Sequence, residues 1–225
     1  MAATASGGGG DSNKLLLYSH WMSSCSCRVR FALNLKGIEY EQKTPFILGD
    51  RFGPEYLKIN PMGLVPALVD GDFVVSDSFA ILMYLEDKYP QHPLLPNDLQ
   101  RKAINFQAAN IISANIQPLQ NISVSRYIAE KFGPDEKLRW TQAHILKGFD
   151  ALESLLKDFA GKYATGDEVY LADVFLAPQI HAAVKRFSVD MNEYPLLLKM
   201  YEAYKELIAF QDAMPENQPG APADA

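Results

Sequence analysis

The change in apolar spacing near the start of the chain constrains its fold most. Residues Leu15–Tyr18 form a short apolar run typical of a buried strand, and from Cys25 the apolar residues recur at helical spacing. Gly37 falls where a helix C-terminal glycine is expected, and residues 38–43 then alternate like a second strand. A strand, a helix and a strand in this order favour a parallel pair joined by a right-handed crossover.

The following segment predicts a hairpin and a second helix. Two apolar runs, 65–69 and 73–75, flank Asp70-Gly71, a dipeptide typical of hairpin turns. Ser76-Asp77-Ser78 offers an N-cap for a helix that runs to Lys88. Because that helix is apolar on most sides, we expect both of its faces to be covered. Residues 14–90 are therefore predicted to form a small α/β domain.

Strand signals almost disappear after a proline-rich linker at residues 91–97. Apolar residues at helical spacing instead predict an all-α domain over residues 98–214. The predicted helices cover residues 98–131 with an interruption at Pro118, 135–160, 172–187 and 195–209. The two ends, 1–13 and 215–225, are poor in apolar side chains and are expected to be flexible. The predicted fold class is an α/β domain followed by an all-α domain.

Composition and charge narrow the class of protein. The net charge of -6 argues against a nucleic-acid partner, and no apolar run approaches the roughly 20 residues that span a membrane. The first thirteen residues resemble neither a secretory signal nor a transit peptide. Two cysteines cannot build a disulfide framework, and the four histidines form no zinc-ligand pair, so no metal is expected. These features predict a cytoplasmic enzyme or binding protein.

The sequence SSCSCRVR, residues 23–30, begins the first predicted helix without an acidic residue in its first turn. Helix N-termini favour Asp or Glu there, because the helix dipole is positive at that end. Arg28 and Arg30 add further positive charge, so an external anion would suit this helix start. The alternative is a plain serine N-cap with both arginines on a solvated face.

Cys25 and Cys27 lie two residues apart, so on a helix their side chains point about 200° apart. This spacing argues against a dithiol couple and against a two-cysteine metal site. Cys25 lies in the first turn, where the helix field lowers the pKa of a thiol, but it also falls on the apolar stripe, so a packing role stays open. Cys27 is expected to be an ordinary small helix residue.

A second helix start, Ser76-Asp77-Ser78, places hydroxyl and N–H groups beside one carboxylate. Such a site suits a zwitterion, whose carboxylate would meet the helix N-terminus and whose ammonium would meet the acid; the alternative is a simple N-cap. Between the two helix starts lies Val65-Pro66. A cis bond there would turn the Val65 backbone outward, available to pair with a peptide-like ligand.

These segments together resemble the zeta class of the glutathione transferases, whose members include maleylacetoacetate isomerases. SSCSCRVR resembles the signature of that class at the first helix. NPMGLVPALVDGD and SDSFAILMYLEDKYP resemble the glutathione-binding half, and IQPLQNISV and GDEVYLADVFLAPQI resemble the helical half. The resemblance covers residues 14–210. It implies a thioredoxin-like first domain, a helical second domain and a homodimer.

The resemblance also implies the reaction. Glutathione would act as the cofactor in the cis–trans isomerisation of maleylacetoacetate to fumarylacetoacetate, a step of tyrosine and phenylalanine catabolism, by reversible thiolate addition. Transfer of glutathione to small α-halo acids is a second activity of the class. The substrate is a small dicarboxylate, and no membrane or nucleic-acid partner is implied.

Specific residues follow from the same resemblance. Ser23 and Cys25 are the implied catalytic residues, and Arg186 and Arg28 would bind the dicarboxylate. The Val65-Pro66 bond would be cis. The implied glutathione-binding residues are Ser23, Ser24, Cys25, Ser26, Cys27, Arg28, Arg51, Val65, Asp77, Ser78, Gln117, Asn121, Ile122 and Ser123.

The chain departs from the class at three positions. Cys27 replaces a tryptophan, which suggests altered packing, and Arg51 lies near a usual glutamine. Tyr170 replaces a serine or threonine helix cap, so the helix after it is expected to begin less firmly.

Three other functions remain as alternatives: a broad detoxifying transferase, a non-catalytic binding protein on the same fold, and a thiol transferase with Cys25 as nucleophile.

Overall fold

The computed structural model describes residues 14–48 and 51–223. Residues 1–13, predicted to be flexible, lie outside the described residues. The first half of the chain contains six strands and three helices among its described residues: β1 Leu15–Tyr18, α1 Ser24–Leu35, β2 Tyr40–Lys43, β3 Phe46–Leu48, β4 Arg51–Phe52, α2 Pro54–Ile59, β5 Ala67–Asp70, β6 Phe73–Ser76 and α3 Ser78–Lys88.

The four-stranded sheet has the order β2-β1-β5-β6. Strands β1 and β2 are parallel, with Leu15 opposite Tyr40, and helix α1 makes the crossover between them. Strand β5 runs antiparallel to both β1 and β6, and Gly71, at a φ of 61°, lies in the turn that joins β5 to β6. The predicted crossover and hairpin are therefore confirmed. The prediction omitted β3, β4 and α2, which are too short to show a period.

The second half is helical, as predicted, but its elements are divided more finely. The predicted segment 98–131 contains an α-helix, a π-helix, a 3-10 helix and all but the last residue of another α-helix. The elements are α4 Leu99–Asn110, the π-helix Ile111–Ile116, the 3-10 helix Gln117–Gln120, α5 Ile122–Phe132, α6 Pro134–Leu156, α7 Leu171–Phe187, the 3-10 helix Met191–Glu193, α8 Pro195–Lys205, α9 Ile208–Gln211 and the 3-10 helix Pro215–Asn217.

Helix α1 lies between two hydrophobic cores. Val29 and Leu33 pack with the apolar side chains of the sheet, whereas Phe31 and Ala32 pack into the core of the helical half. Helix α3 is covered in the same way, with Ile81 facing the first core and Leu82 the second, which confirms that both of its faces are buried.

This packing corrects the alternative of a solvated arginine face. Arg28 is 1% exposed and Arg30 is 0% exposed. Arg28 lies against Phe175 of the helical half, and Arg30 donates hydrogen bonds to the Ala213 carbonyl beyond α9. The sequence shows only that two arginines follow the helix start, and burial of such side chains depends on a domain more than a hundred residues away along the chain.

The segment after α9 folds back onto the protein. Gln218 is buried, and its Nε2 donates hydrogen bonds to the carbonyls of Asp212 at 2.7 Å and Met214 at 3.0 Å. Within residues 14–48 and 51–223, no helix is both long and apolar enough to cross a membrane.

Candidate active site

A groove of about 520 Å³ opens between the two halves of the chain. The starts of α1 and α3, the segment before β5 and the turn between the 3-10 helix 117–120 and α5 form its walls. The groove brings together these predicted residues: Ser23, Ser24, Cys25, Val65, Asp77, Ser78, Gln117, Asn121, Ile122, Ser123 and Arg186.

Ser23 is the N-cap of α1 and lies at the groove. Its Oγ accepts a hydrogen bond from the Ser26 N–H at 3.1 Å, which leaves the hydroxyl proton available to donate elsewhere. The first turn of α1 contains no acidic residue, and the first N–H groups of a helix have no intrahelical acceptor. The start of α1 is therefore suited to stabilise an anion in the groove.

The two cysteines have different environments. Cys25 is partly exposed and lines the groove. Cys27 is fully buried; its Sγ donates to the Ala213 carbonyl at 3.1 Å, and burial raises the pKa of the thiol to about 11. Ser26 is also fully buried. Neither Ser26 nor Cys27 lines the groove, and both are fully buried, so their predicted contact with glutathione gains no support from the structure.

Arg28 does not line the groove either, contrary to the predicted direct contacts with cofactor and substrate. Its guanidinium lies 4.4 Å from the centre of the Phe175 ring, and its Nη1 donates to Ser78 Oγ at 3.1 Å. Since Ser78 does line the groove, Arg28 lies directly behind a residue of the site.

Arg30 connects the loop before Ser23 to the end of the chain. Its Nη1 donates to Ser19 Oγ at 2.8 Å and to the His20 carbonyl at 3.3 Å, and its Nη2 donates to the Trp21 carbonyl at 3.3 Å and the Ala213 carbonyl at 2.9 Å. Desolvation by burial lowers the pKa of Arg30. These bonds fix the backbone that leads to the N-cap of α1.

Asp77 begins α3 with a backbone conformation unusual for aspartate, at a φ of 78°. Its Oδ1 accepts hydrogen bonds from the N–H groups of Phe79 at 2.9 Å and Ala80 at 3.1 Å, and these bonds help to hold the conformation. Backbone strain of this kind concentrates at functional sites. Asp77 is exposed at the groove, beside the buried hydroxyl of Ser78.

The Val65-Pro66 bond is cis, as predicted. Val65 precedes β5, and within the described residues neither its N–H nor its carbonyl makes a hydrogen bond. A groove-lining residue with both backbone groups available can pair with a peptide-like ligand, as an added strand would.

The helical half contributes polar residues and two cations. Arg186 is exposed at the groove, with its Nη1 3.5 Å from the Met22 carbonyl. Arg126 also lines the groove and was missed in the sequence analysis. Its signal was its position four residues after Ile122, which puts both on one face of α5. Arg51 begins β4, but its side chain lies outside the described part, so its role stays a prediction.

A second cavity of about 320 Å³ adjoins the groove and shares Met22, Ser24 and Arg186 with it. His181 and Glu216 line this cavity and approach each other at 3.2 Å, between Nε2 and Oε2. The cavity extends the space available beside the start of α1 for a second ligand.

Two segments of the chain match known protein families. Residues 22–88 match "Glutathione S-transferase, N-terminal domain", and residues 126–208 match "Glutathione S-transferase, C-terminal domain". The first match includes the starts of α1 and α3, and the second includes both groove arginines.

Similar proteins extend over nearly the whole chain. The "Glutathione S-transferase zeta class" protein of Euphorbia esula is 65% identical over 207 residues, 92% of each chain. The "Maleylacetoacetate isomerase" of Rattus norvegicus is 44% identical over 214 residues, 94% of this chain and 97% of the relative. A solved maleylacetoacetate isomerase from Anaeromyxobacter dehalogenans, with dicarboxyethyl glutathione and citrate in its active site, is 38% identical with a TM-score of 0.84 and covers 95% of this chain and 96% of its own.

Proposed function

The chain belongs to the zeta class of the glutathione S-transferase family, and from this premise we propose that it catalyses the glutathione-dependent cis–trans isomerisation of maleylacetoacetate to fumarylacetoacetate. The observation that carries the proposal is the start of α1, where an acid-free first turn and the Ser23 hydroxyl meet the groove. Similarity to the rat maleylacetoacetate isomerase favours this reaction among those of the family.

The residues of the groove fit glutathione as the cofactor. The free N–H and carbonyl of Val65 suit its peptide backbone, and the start of α3 at Ser78 suits its γ-glutamyl carboxylate. Asp77 supplies the acid for the ammonium group beside that carboxylate. Gln117 and the residues from Asn121 to Ser123 close the groove from the helical half.

When bound, glutathione supplies a thiolate that adds reversibly to the cis double bond, so that the bond rotates before elimination gives the trans product. The task of the chain is to keep that sulfur deprotonated, since an ordinary thiol has a pKa of about 8.5. The Ser23 hydroxyl and the N-terminal field of α1 favour the charged form. Lowering the pKa by about 2 units corresponds to about 2.7 kcal/mol. Cys25, in the same turn, is the proposed assistant.

The proposed substrate is a small dicarboxylate, because two arginines flank the groove on the side of the helical half. Arg186 and Arg126 provide guanidinium groups suited to carboxylates, and the adjoining cavity gives room for the far end of the substrate. Dicarboxyethyl glutathione and citrate in the related bacterial isomerase support this substrate class.

The proposal is tested by following turnover of maleylacetone, a surrogate for maleylacetoacetate, by purified protein with and without glutathione. We expect turnover only with glutathione, and we expect glutathione to be recovered unchanged. Glutathione-independent turnover would remove it from the reaction, and no turnover in either case would overturn the proposed isomerase activity.

A broad detoxifying transferase is the competing activity, and Arg186 distinguishes it. We expect Arg186→Gln to raise the KM for the dicarboxylate about tenfold or more, because a charge-assisted contact is lost. The KM for a neutral electrophile should stay within about twofold of the wild-type value. An equal change for both substrates would contradict carboxylate binding by Arg186.

The same site supports glutathione transfer to small α-halo acids as a second activity, measured by halide release.

We further propose a homodimer, because Phe73 and Val74 on the edge strand β6 are exposed apolar side chains. Light scattering of the full chain tests this.

The proposed compartment is the cytoplasm, where free thiols such as Cys25 and glutathione stay reduced, and cell fractionation tests it.

A further inference from the structure

Arg28 is a buried cation with incomplete hydrogen bonding. It is 1% exposed, and within the described part of the chain two of its nitrogen atoms, Nε and Nη2, have no hydrogen-bond partner. Among residues 14–48 and 51–223, no carboxylate forms an ion pair with it. Its guanidinium lies over the face of the Phe175 ring and donates one hydrogen bond, to the Ser78 hydroxyl oxygen.

Such an arrangement is costly for stability. Removing a guanidinium from water carries a desolvation penalty, and a hydrophobic side chain of similar size would often serve folding as well or better. A packing role therefore accounts poorly for an arginine at this position. The remaining polar contact, with Ser78, points toward the groove, because Ser78 lines it.

The direction of that hydrogen bond matters. Arg28 Nη1 is the donor and Ser78 Oγ the acceptor, so the Ser78 proton is left to donate in another direction. The positive charge also lies behind the N-terminus of α3, where the helix dipole is already positive. Both effects favour a negative group in front of Ser78.

We propose that Arg28 is a positioning residue for a carboxylate-binding site at Ser78. It orients the Ser78 hydroxyl toward the groove. From the side of Ser78 that faces away from the groove, it also supplies a positive charge that a bound carboxylate compensates. The inference rests on the proposed function, which puts the γ-glutamyl carboxylate of glutathione at Ser78. It assigns Arg28 to cofactor affinity, without contact to the reacting atoms.

The test compares two ligands by calorimetry: glutathione and 4-aminobutyryl-cysteinyl-glycine, which is glutathione without its γ-glutamyl α-carboxylate. The ratio of their Kd values measures recognition of that carboxylate. We expect Arg28→Met to weaken glutathione binding about tenfold and to change binding of the analogue less than about twofold. Without ligand, Arg28→Met should unfold at the wild-type temperature or above it.

Two further variants keep the test decisive. In a Ser78→Ala background, Arg28→Met should change the Kd ratio by less than about twofold, because the hydroxyl that Arg28 orients is already missing. Arg30→Lys is the control: Arg30 is equally buried on the same helix but supports the backbone before Ser23 and donates no hydrogen bond to Ser78, so any change in affinity should be alike for both ligands and their Kd ratio should be kept. Arg28→Lys provides the measurement if Arg28→Met does not fold.

An equal loss of affinity for both ligands, or an unchanged ratio in Arg28→Met and Arg28→Lys, would overturn the positioning role. If the wild-type protein binds both ligands equally, the carboxylate-binding site at Ser78 is overturned and the isomerase proposal is left intact. Wild-type protein that binds no glutathione would overturn both.

Discussion

The Ser23 hydroxyl accepts a hydrogen bond as the N-cap of α1, and its proton is left to donate to a ligand. The Oγ accepts the Ser26 N–H at 3.1 Å, and this bond fixes the hydroxyl at the edge of the groove. Arg30 holds the preceding backbone through the carbonyls of His20 and Trp21. The hydroxyl is therefore positioned by two sets of bonds before any ligand arrives, which is how a donor stabilises developing or bound charge at little reorganisation cost.

Ser23→Ala should lower kcat about 100-fold, because one preorganised donor to the sulfur anion is removed. The ultraviolet absorbance of the bound thiolate, followed against pH, should show a raised pKa in the variant. Ser23→Thr, which retains the hydroxyl, is the control and should keep most of the wild-type pKa. Full activity of Ser23→Ala near neutral pH would contradict the role.

The two cysteines should differ in reactivity in the folded protein. Cys27 is fully buried and its pKa is raised to about 11 by burial, so at neutral pH it is a protonated, inaccessible thiol, whereas Cys25 is partly exposed. Iodoacetamide followed by peptide mass spectrometry should label Cys25 alone. Both should be labelled in denaturant, and equal labelling in the native state would show that Cys27 is not enclosed.

Residue roles were predicted unevenly from sequence. The acid-free start of α1 is a local pattern, so Ser23 and its neighbours could be placed at an anion site from the sequence. The enclosure of Arg28, Arg30 and Cys27 depends on contact with α7 and with Ala213, far away along the chain. No periodicity within α1 reports that contact, so the sequence left a solvated face open for the two arginines and could not show that Arg28 and Cys27 lie outside the groove lining.

At the level of elements, α7 begins firmly despite its missing hydroxyl cap. The Asp173 carboxylate accepts hydrogen bonds from the N–H groups of Tyr170 and Ala164, each at 2.8 Å, and from the Tyr204 hydroxyl at 2.5 Å. The expectation that Tyr170 weakens this helix start did not count the hydrogen bond that Asp173, three residues later, accepts from the N–H of Tyr170.

Asp173 should make stability depend on pH in an unusual direction. Burial raises the pKa of its carboxyl to about 6, above the 3.8 of an exposed group, so between these values the folded state binds more protons than the unfolded state. Its contribution to stability is then largest below about pH 4 and declines as the pH rises toward about 6.

Comparison of wild-type protein with Asp173→Asn isolates this contribution. The difference in their unfolding free energies should shift in favour of the wild type on acidification, by up to about 3 kcal/mol. Urea unfolding at several pH values measures it. A difference that shifts toward the variant on acidification would show a carboxylate stabilised in its charged form.

The elements between α4 and α5 were harder to predict. Pro118 marks an interruption, but the π-helix at Ile111–Ile116 has no sequence signal of its own. Gly148 of α6 lies directly against Ile116, so close that a side chain there would clash. Packing against another helix thus accompanies the irregular turn that brings Gln117 and Asn121 to the groove, as is common for π-helices at functional sites.

At the scale of the whole molecule, the end of the chain ties the two halves together. The Ala213 carbonyl accepts hydrogen bonds from Cys27 Sγ and from two nitrogen atoms of Arg30, on the helix that begins the active site. Glu216 approaches His181 of α7. The segment from 213 to 218 therefore belongs to the structural support of the groove.

Deletion of residues 213–225 should destabilise the protein, since Arg30 loses a shared acceptor and becomes a poorly paired buried cation. We expect a loss of about 3 kcal/mol and a fall in Tm of roughly 6–12 °C. Deletion of residues 222–225 is the matched control, because it leaves these bonds in place, and it should melt within about 2 °C of the full chain. Equal effects of both deletions would contradict this role of Ala213.

The position of α1 between two cores has a consequence for modularity. Val29 and Leu33 belong to the core of the sheet, while Phe31 and Ala32 belong to that of the helical half. The structural border between the two halves therefore lies on α1, with one face of the helix packed in each core, and not at the linker of residues 91–97. A chimera cut at the linker between distant relatives would inherit mismatched helix faces, so successful recombination must carry the outer face of α1 along with the helical half.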